Sequence, residues 1–259
     1  MSFASTTHVQ TQHPEIRRVG LPDLRAALSD GVADFTAIPT QIVFLCLLYP
    51  VVGLIAARAA TDDLLPLLFP LTAGLSLMGP VLAVGLYELS RRREAGLPVS
   101  WLNAFDVLRS PAIGSIIGMG AILFLAFVAW IVAAKMVLAA TMGAAAPRGI
   151  GDFIGAVLHS SAGHSMILLG NLVGFVFAAV VLTISIVSIP MLLDRNCGVP
   201  VAIATSVRVV RRNPVAMACW GLIVAALLVL GSIPLFIGLA VTMPILGHAT
   251  WHLYRRVVG

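Results

Sequence analysis

Ile186-Val-Ser-Ile-Pro190-Met-Leu-Leu-Asp194-Arg195-Asn-Cys-Gly198-Val-Pro200 closes one long apolar run, and Arg211-Arg212-Asn213-Pro214 opens the next. Between them, Val199, Ile203, Val207 and Val210 recur at helical spacing, with Arg208, Arg211 and Arg212 turned away. The stretch reads as the charged end of one apolar helix, an amphipathic piece lying across, and a proline that starts another apolar helix.

Composition agrees with that plan. The 259 residues are 59% hydrophobic and 10% charged, with a mean hydropathy of +1.03. Soluble domains carry about 25% charged residues, so lipid must cover much of this surface. The net charge of +5 comes from 16 basic and 11 acidic residues. Every basic residue but Lys135 is arginine. The arginines border apolar segments, which points to anionic lipid headgroups as partners and not to nucleic acid. Cys46, Cys197 and Cys219 stand apart, with neither disulfide nor zinc spacing.

Outward from the opening stretch, the fold class expected is an all-α polytopic membrane protein with six transmembrane helices. A span needs about 20 apolar residues. The six expected are Ile38–Ala57, Leu64–Leu89, Pro111 to about Lys135, Ser165–Leu192, Pro214–Leu230, and a last one ending at Arg255-Arg256. Pro80 and Pro190 are expected to break the second and fourth. Residues 1–20 read as a flexible cytoplasmic tail and 21–259 as a single domain. Amphipathic pieces precede the odd-numbered spans. The first carries Leu21, Leu24, Leu28 and Val32 as its apolar face, with Asp23, Arg25, Asp30 and Asp34 between them. The second carries Trp101, Leu102, Phe105 and Leu108 on one face. Ile150 to Gly163 reads as weakly helical on the far side.

Three inner segments begin alike, at Gly20-Leu-Pro22, Gly96-Leu-Pro98 and Gly198-Val-Pro200. Three parallel hairpin repeats would explain this, each preceded by an interfacial helix, over about 20–95, 96–197 and 198–257. The simpler alternative is that Gly-x-Pro marks a chain break wherever the chain leaves the membrane. Arginine placement orients the whole. With a cytoplasmic N terminus, the outer segments hold only Arg58, Lys135 and Arg148, which predicts both termini inside.

Candidate sites are sparse. His248 and His252, at i and i+4, could touch a haem or a quinone, but no further ligands complete a metal site. Arg91, Arg92, Arg93, Arg208, Arg211, Arg212, Arg255 and Arg256 ring the inner level as a candidate docking surface for anionic lipid or an acidic partner. Gly114, Gly118, Gly170 and Gly174 have the spacing of close helix contacts. No nucleophile–base order, phosphate loop or paired-carboxylate site is visible in the sequence, so no catalytic residue and no enzyme activity is expected.

The runs Gly85-Leu-Tyr87-Glu88-Leu-Ser-Arg91-Arg92, Pro190-Met-Leu-Leu-Asp194-Arg195 and Pro244-Ile-Leu-Gly-His248-Ala-Thr-Trp251-His252-Leu-Tyr254-Arg255-Arg256 resemble the blocks of a bacterial integral membrane family. That family is a numbered domain of unknown function (2189), some of whose members carry a cytochrome c oxidase label. The resemblance implies a bacterial inner-membrane protein and offers no catalytic residues. With a nearly uncharged bilayer core, it leads to the expectation of a non-catalytic accessory subunit or assembly factor of a respiratory, cytochrome oxidase-type complex, with other membrane subunits as partners. The alternative is a transporter or lipid-handling protein for a neutral or lipid substrate, with its pathway near Asn171, Ser185, Ser188 and Thr242.

Overall fold

The computed structural model describes residues 14–38, 70–71, 74, 76–143, 150–233 and 237–259. The expected first span beyond Ile38, most of the outer half of the second with Pro66, the tail to His13, Cys46, Arg58, Arg148 and Pro234 lie outside the described residues.

The described residues are helical, and their only extended pairing is an isolated bridge between Ile16 and Val258. In chain order we label α1 (Leu21–Ala37), α2 (Val84–Glu94), α3 (Ile113–Met142), α4 (Ile150–His159), α5 (Ser161–Ser185), α6 (Ser188–Arg195), α7 (Val199–Arg212), α8 (Pro214–Ser232) and α9 (Leu239–Val257). A short turn of helix, Gly79–Leu82, precedes α2, and a 3-10 helix, Trp101–Arg109, precedes α3.

Among the described residues, three helices are long and apolar enough to cross a membrane. They are α3, α5 continued through α6, and α8. Their most apolar windows bury only 22%, 33% and 22% of their residues inside the protein, as expected of helices that face lipid. At 30 residues, α3 is longer than the expected third span and extends about 45 Å. Helix α9 is of another kind. It carries His248, His252, Arg255 and Arg256, and most of its residues are buried.

Both expected breaks occur, with local causes. Helix α2 begins after a break at Ala83, just past the turn that carries Pro80. The fourth span breaks at Ile186–Val187, ahead of Pro190. Proline has no N–H to offer Ile186, and its ring crowds that carbonyl. The Val187 N–H turns instead to Ser206 Oγ at 3.4 Å, and that hydroxyl donates to the Thr183 carbonyl at 2.7 Å. A side chain from α7 thus fills the gap in the ladder. Helix α6 ends on Asn196 in the left-handed conformation (φ 46). Gly198 (φ 77) then turns the chain into α7.

The amphipathic helices bury faces other than the sequence suggests. In α1 the buried residues are Leu24, Ala27, Gly31 and Asp34, while Leu21 and Val32 are exposed. In α7 they are Ala202, Thr205, Ser206 and Val209, with Val199, Ile203 and Val210 only partly covered. The 3-10 helix leaves Trp101, Leu102, Phe105 and Leu108 exposed and turns its polar edge to the protein.

The core lies where α2, α6 and α9 meet. Tyr87, Leu192, Trp251, Leu253 and Tyr254 are fully buried there. Each amphipathic piece packs on a different part of the bundle: α1 on α9, the 3-10 helix on α2, and α7 on α5 and α6.

Candidate functional site

The most developed polar cluster joins α1, α2 and α9. Gly31 brings α1 against α9 so closely that a Cβ there would lie 2.6 Å from the Ala249 side chain and 2.7 Å from its backbone nitrogen. Gly247 sits as tightly on Leu86 of α2. These approaches set Asp34, Ser90, His248 and His252 side by side, with Asp34 only 4% exposed and His248 not exposed at all.

Asp34 Oδ2 accepts from Ser90 Oγ at 2.6 Å and from His252 Nε2 at 2.8 Å. Asp34 Oδ1 accepts from Arg93 Nη1 at 2.8 Å, and the same nitrogen reaches the Ala33 carbonyl at 2.6 Å. Burial alone would raise the Asp34 carboxyl. The hydrogen bonds from His252 and Ser90, with the charges of the two histidines, outweigh it and hold Asp34 below the ordinary value of 3.8.

Ser90 Oγ also lies 2.7 Å from His248 Nδ1. A serine has one proton, and the ionised Asp34 takes it, so His248 Nδ1 must carry the proton of the second bond. That tautomer leaves the lone pair on His248 Nε2, which is buried and has no partner among the described residues. The base that faces the Ser90 hydroxyl is Asp34, a carboxylate held below 3.8 and therefore a weak proton acceptor, while His248 Nδ1 donates to the hydroxyl.

A second network closes the charged ends. Glu94 on α2 accepts from Trp251 Nε1 at 3.0 Å and Arg255 Nε at 2.9 Å. Arg255 reaches on to Asp194 of α6 at 3.4 Å, and the Tyr254 hydroxyl donates to Asp194 at 2.6 Å. Arg91 grips Glu88 with two bonds of 2.8 Å, and Arg256 meets Asp30 at 2.5 Å.

The residues singled out in the sequence fall as follows. His248 and His252 belong to the Asp34 cluster, where each has one ring nitrogen engaged within the protein. No group of three His, Cys, Asp or Glu side chains arranged for a metal occurs among the described residues. Of the eight ringed arginines, Arg91, Arg92, Arg93, Arg255 and Arg256 are ion-paired within the chain. Arg208, Arg211 and Arg212 instead line a cleft of 480 Å³ with Pro14, Glu15 and Ile16. Gly118 touches Val199 and Gly174 touches Trp130, whereas Gly114 and Gly170 face open space. Asn171 and Ser185 bond to carbonyls of their own helix, and Ser188 bonds back across the break to the Ile184 carbonyl of α5. Thr242 packs on Gly231, and its hydroxyl has no partner among the described residues. None of these four lines the 480 Å³ cleft or the second one, of 360 Å³, beside Glu88 and Arg109.

Asp34 and Ser90 were not among the sequence candidates. The signal was present in the spacing Leu24, Ala27, Gly31, Asp34, a stripe at i, i+3, i+7 and i+10 whose glycine marks a close approach.

No curated protein and no solved structure matches the chain. Residues 68–194, from the second apolar segment into α6, match the model of the family described as predicted integral membrane protein (DUF2189).

Proposed function

We propose that this integral membrane protein is a non-catalytic accessory subunit or assembly factor of a membrane complex. One observation carries the reading. The carboxylates of the cluster where α1, α2, α6 and α9 meet, Asp34, Glu88, Glu94 and Asp194, are each held by arginine, histidine, serine, tryptophan or tyrosine donors of the chain itself. A carboxylate that couples proton or ion movement must exchange partners, and three of these, Asp34, Glu94 and Asp194, are clamped between helices. Meanwhile α3, α5 and α8 turn most of their apolar surface outward, where lipid or the helices of partner subunits can lie. A respiratory, oxidase-type complex as the partner rests on the family resemblance alone.

The same reading includes six spans in three parallel units, set in a bacterial inner membrane with both termini in the cytoplasm. Cyclic packing supports the units. The amphipathic piece of the first packs on the last helix of the third, that of the second on α2 of the first, and that of the third on α5 and α6 of the second. A mere chain-break signal gives no reason for that order.

Purification in a gentle detergent, followed by mass spectrometry of the intact assembly, tests the role. Other membrane subunits in stoichiometric amount are expected. A chain that emerges alone from its native membrane counts against it.

A further inference from the structure

We propose that the cleft between residues 14–16 and the last turns of α7 binds the phosphate of an anionic phospholipid headgroup. The inference does not depend on the accessory role. The cleft measures 480 Å³ and is lined by Arg208, Arg211 and Arg212 on one side and Pro14, Glu15 and Ile16 on the other. Its far wall is fixed. Gly259 N–H donates to the Glu15 carbonyl at 3.0 Å, Arg17 N–H to Val257 at 2.8 Å, and Val19 N–H to Asn213 Oδ1 at 2.9 Å. The wall on that side is therefore ordered, and the recess itself is shallow and open.

Its charges are uncommitted. Among the described residues, Arg208, Arg211 and Arg212 have no carboxylate partner, unlike Arg91, Arg93, Arg255 and Arg256. Three arginines and one acidic residue, Glu15, line the recess. The C-terminal end of α7 subtracts about half a charge, so the recess keeps a clear positive excess. Arg208 is the least accessible of the three. Its Nη2 donates to Thr205 Oγ1 at 3.2 Å, and its Nε is buried with no acceptor among the described residues. The forks that match a phosphate are therefore those of the exposed Arg211 and Arg212.

The surroundings favour a lipid phosphate over a free one. Helix α8 starts two residues beyond Arg212, and its exposed Val215, Leu222 and Val229 recur every seventh residue. That row gives an acyl chain an apolar lane leading away from the arginines.

The test uses the full-length protein in a neutral detergent, with intact-mass spectrometry after addition of phosphatidylglycerol or phosphatidylethanolamine. The wild type is expected to retain phosphatidylglycerol in preference. Because Arg208 is half-buried, the variant is the exposed pair, Arg211→Gln with Arg212→Gln, whose retention should fall by about tenfold. Arg18→Gln with Arg25→Gln removes the same charge elsewhere and should leave retention unchanged. Equal losses from both pairs, or none from either, overturn the proposal. Displacement of phosphatidylglycerol by millimolar inorganic phosphate also overturns it, by making the recess a soluble-anion site.

Discussion

The Asp34 carboxylate and the His252 imidazole stand 2.8 Å apart although 218 positions separate them in the chain. This pair, with Arg93 on the other oxygen, fastens the first described helix to the last. Replacing Asp34 by alanine leaves His252 and Arg93 without their shared anion. Breaking a buried ion pair from one side costs about 3 kcal/mol. Asp34→Ala is therefore expected to lower the melting temperature in detergent sharply, and Arg93→Gln less, since Arg93 is itself partly exposed. An unchanged melting temperature in Asp34→Ala would show that the clamp contributes nothing.

The same pair sets a pH dependence. Asp34 titrates below 3.8 in the folded protein. A depressed carboxylate contributes stability that is fully present above the unfolded value and is lost as pH falls through the folded one. The difference in melting temperature between wild type and Asp34→Asn should hold from pH 7 down to about 4 and close only below that. A gap already closed at pH 5 would contradict the assignment.

Gly31 supplies a packing test. Its missing Cβ is what admits Ala249, backbone included. Gly31→Ala should cost about 2 kcal/mol through forced separation of α1 from α9, whereas Gly114→Ala should be neutral because nothing lies within 4 Å of that position. Similar melting temperatures for the two variants would refute the close approach.

These residues also show how far the sequence could be read. The three lipid-crossing helices were legible because long apolar runs have few other uses, and the Pro190 break was legible because proline cannot close the turn. What misled was the rule that the largest apolar side chains point inward. Among lipid-facing helices, lipid accepts leucine and valine as readily as a protein core does, and small residues permit the tightest helix contacts. Hence α1 buries Ala27, Gly31 and Asp34 and exposes Leu21, and α7 buries Ala202, Thr205 and Ser206. The Asp34 cluster stayed hidden for the same reason, since its carboxylate lay on the face read as polar.

Ser206 is the clearest instance of a polar residue placed by packing. Its hydroxyl bridges Thr183 and Val187 where the fourth span breaks. Ser206→Ala leaves a buried carbonyl and a buried N–H unpaired, at a cost of about 1–3 kcal/mol. Thr250→Ala, which removes a hydroxyl bonded only to its own helix at Leu246, should cost less. Chemical unfolding of the two variants side by side measures the difference, and equal losses would remove the bridge from the account.

The 3-10 helix makes the last prediction. Its polar edge is engaged by the protein: Asp106 accepts from Arg92 at 3.1 Å and from Asn103 at 2.8 Å, and Gly85 lets Ala104 sit close on α2. Its other edge projects Trp101, Leu102, Phe105 and Leu108, with Trp101 and Phe105 in edge-to-face contact at 6.5 Å. Among the described residues nothing covers these four side chains, and an interfacial helix lowers that apolar edge into the acyl boundary. An environment-sensitive fluorophore on Leu108→Cys, in a chain whose native cysteines are alanine, should therefore emit to the blue in vesicles and be quenched by lipids labelled just below the headgroup. The same fluorophore on Arg18→Cys should emit as in water. Matching, water-like emission from both positions would place the 3-10 helix clear of the membrane.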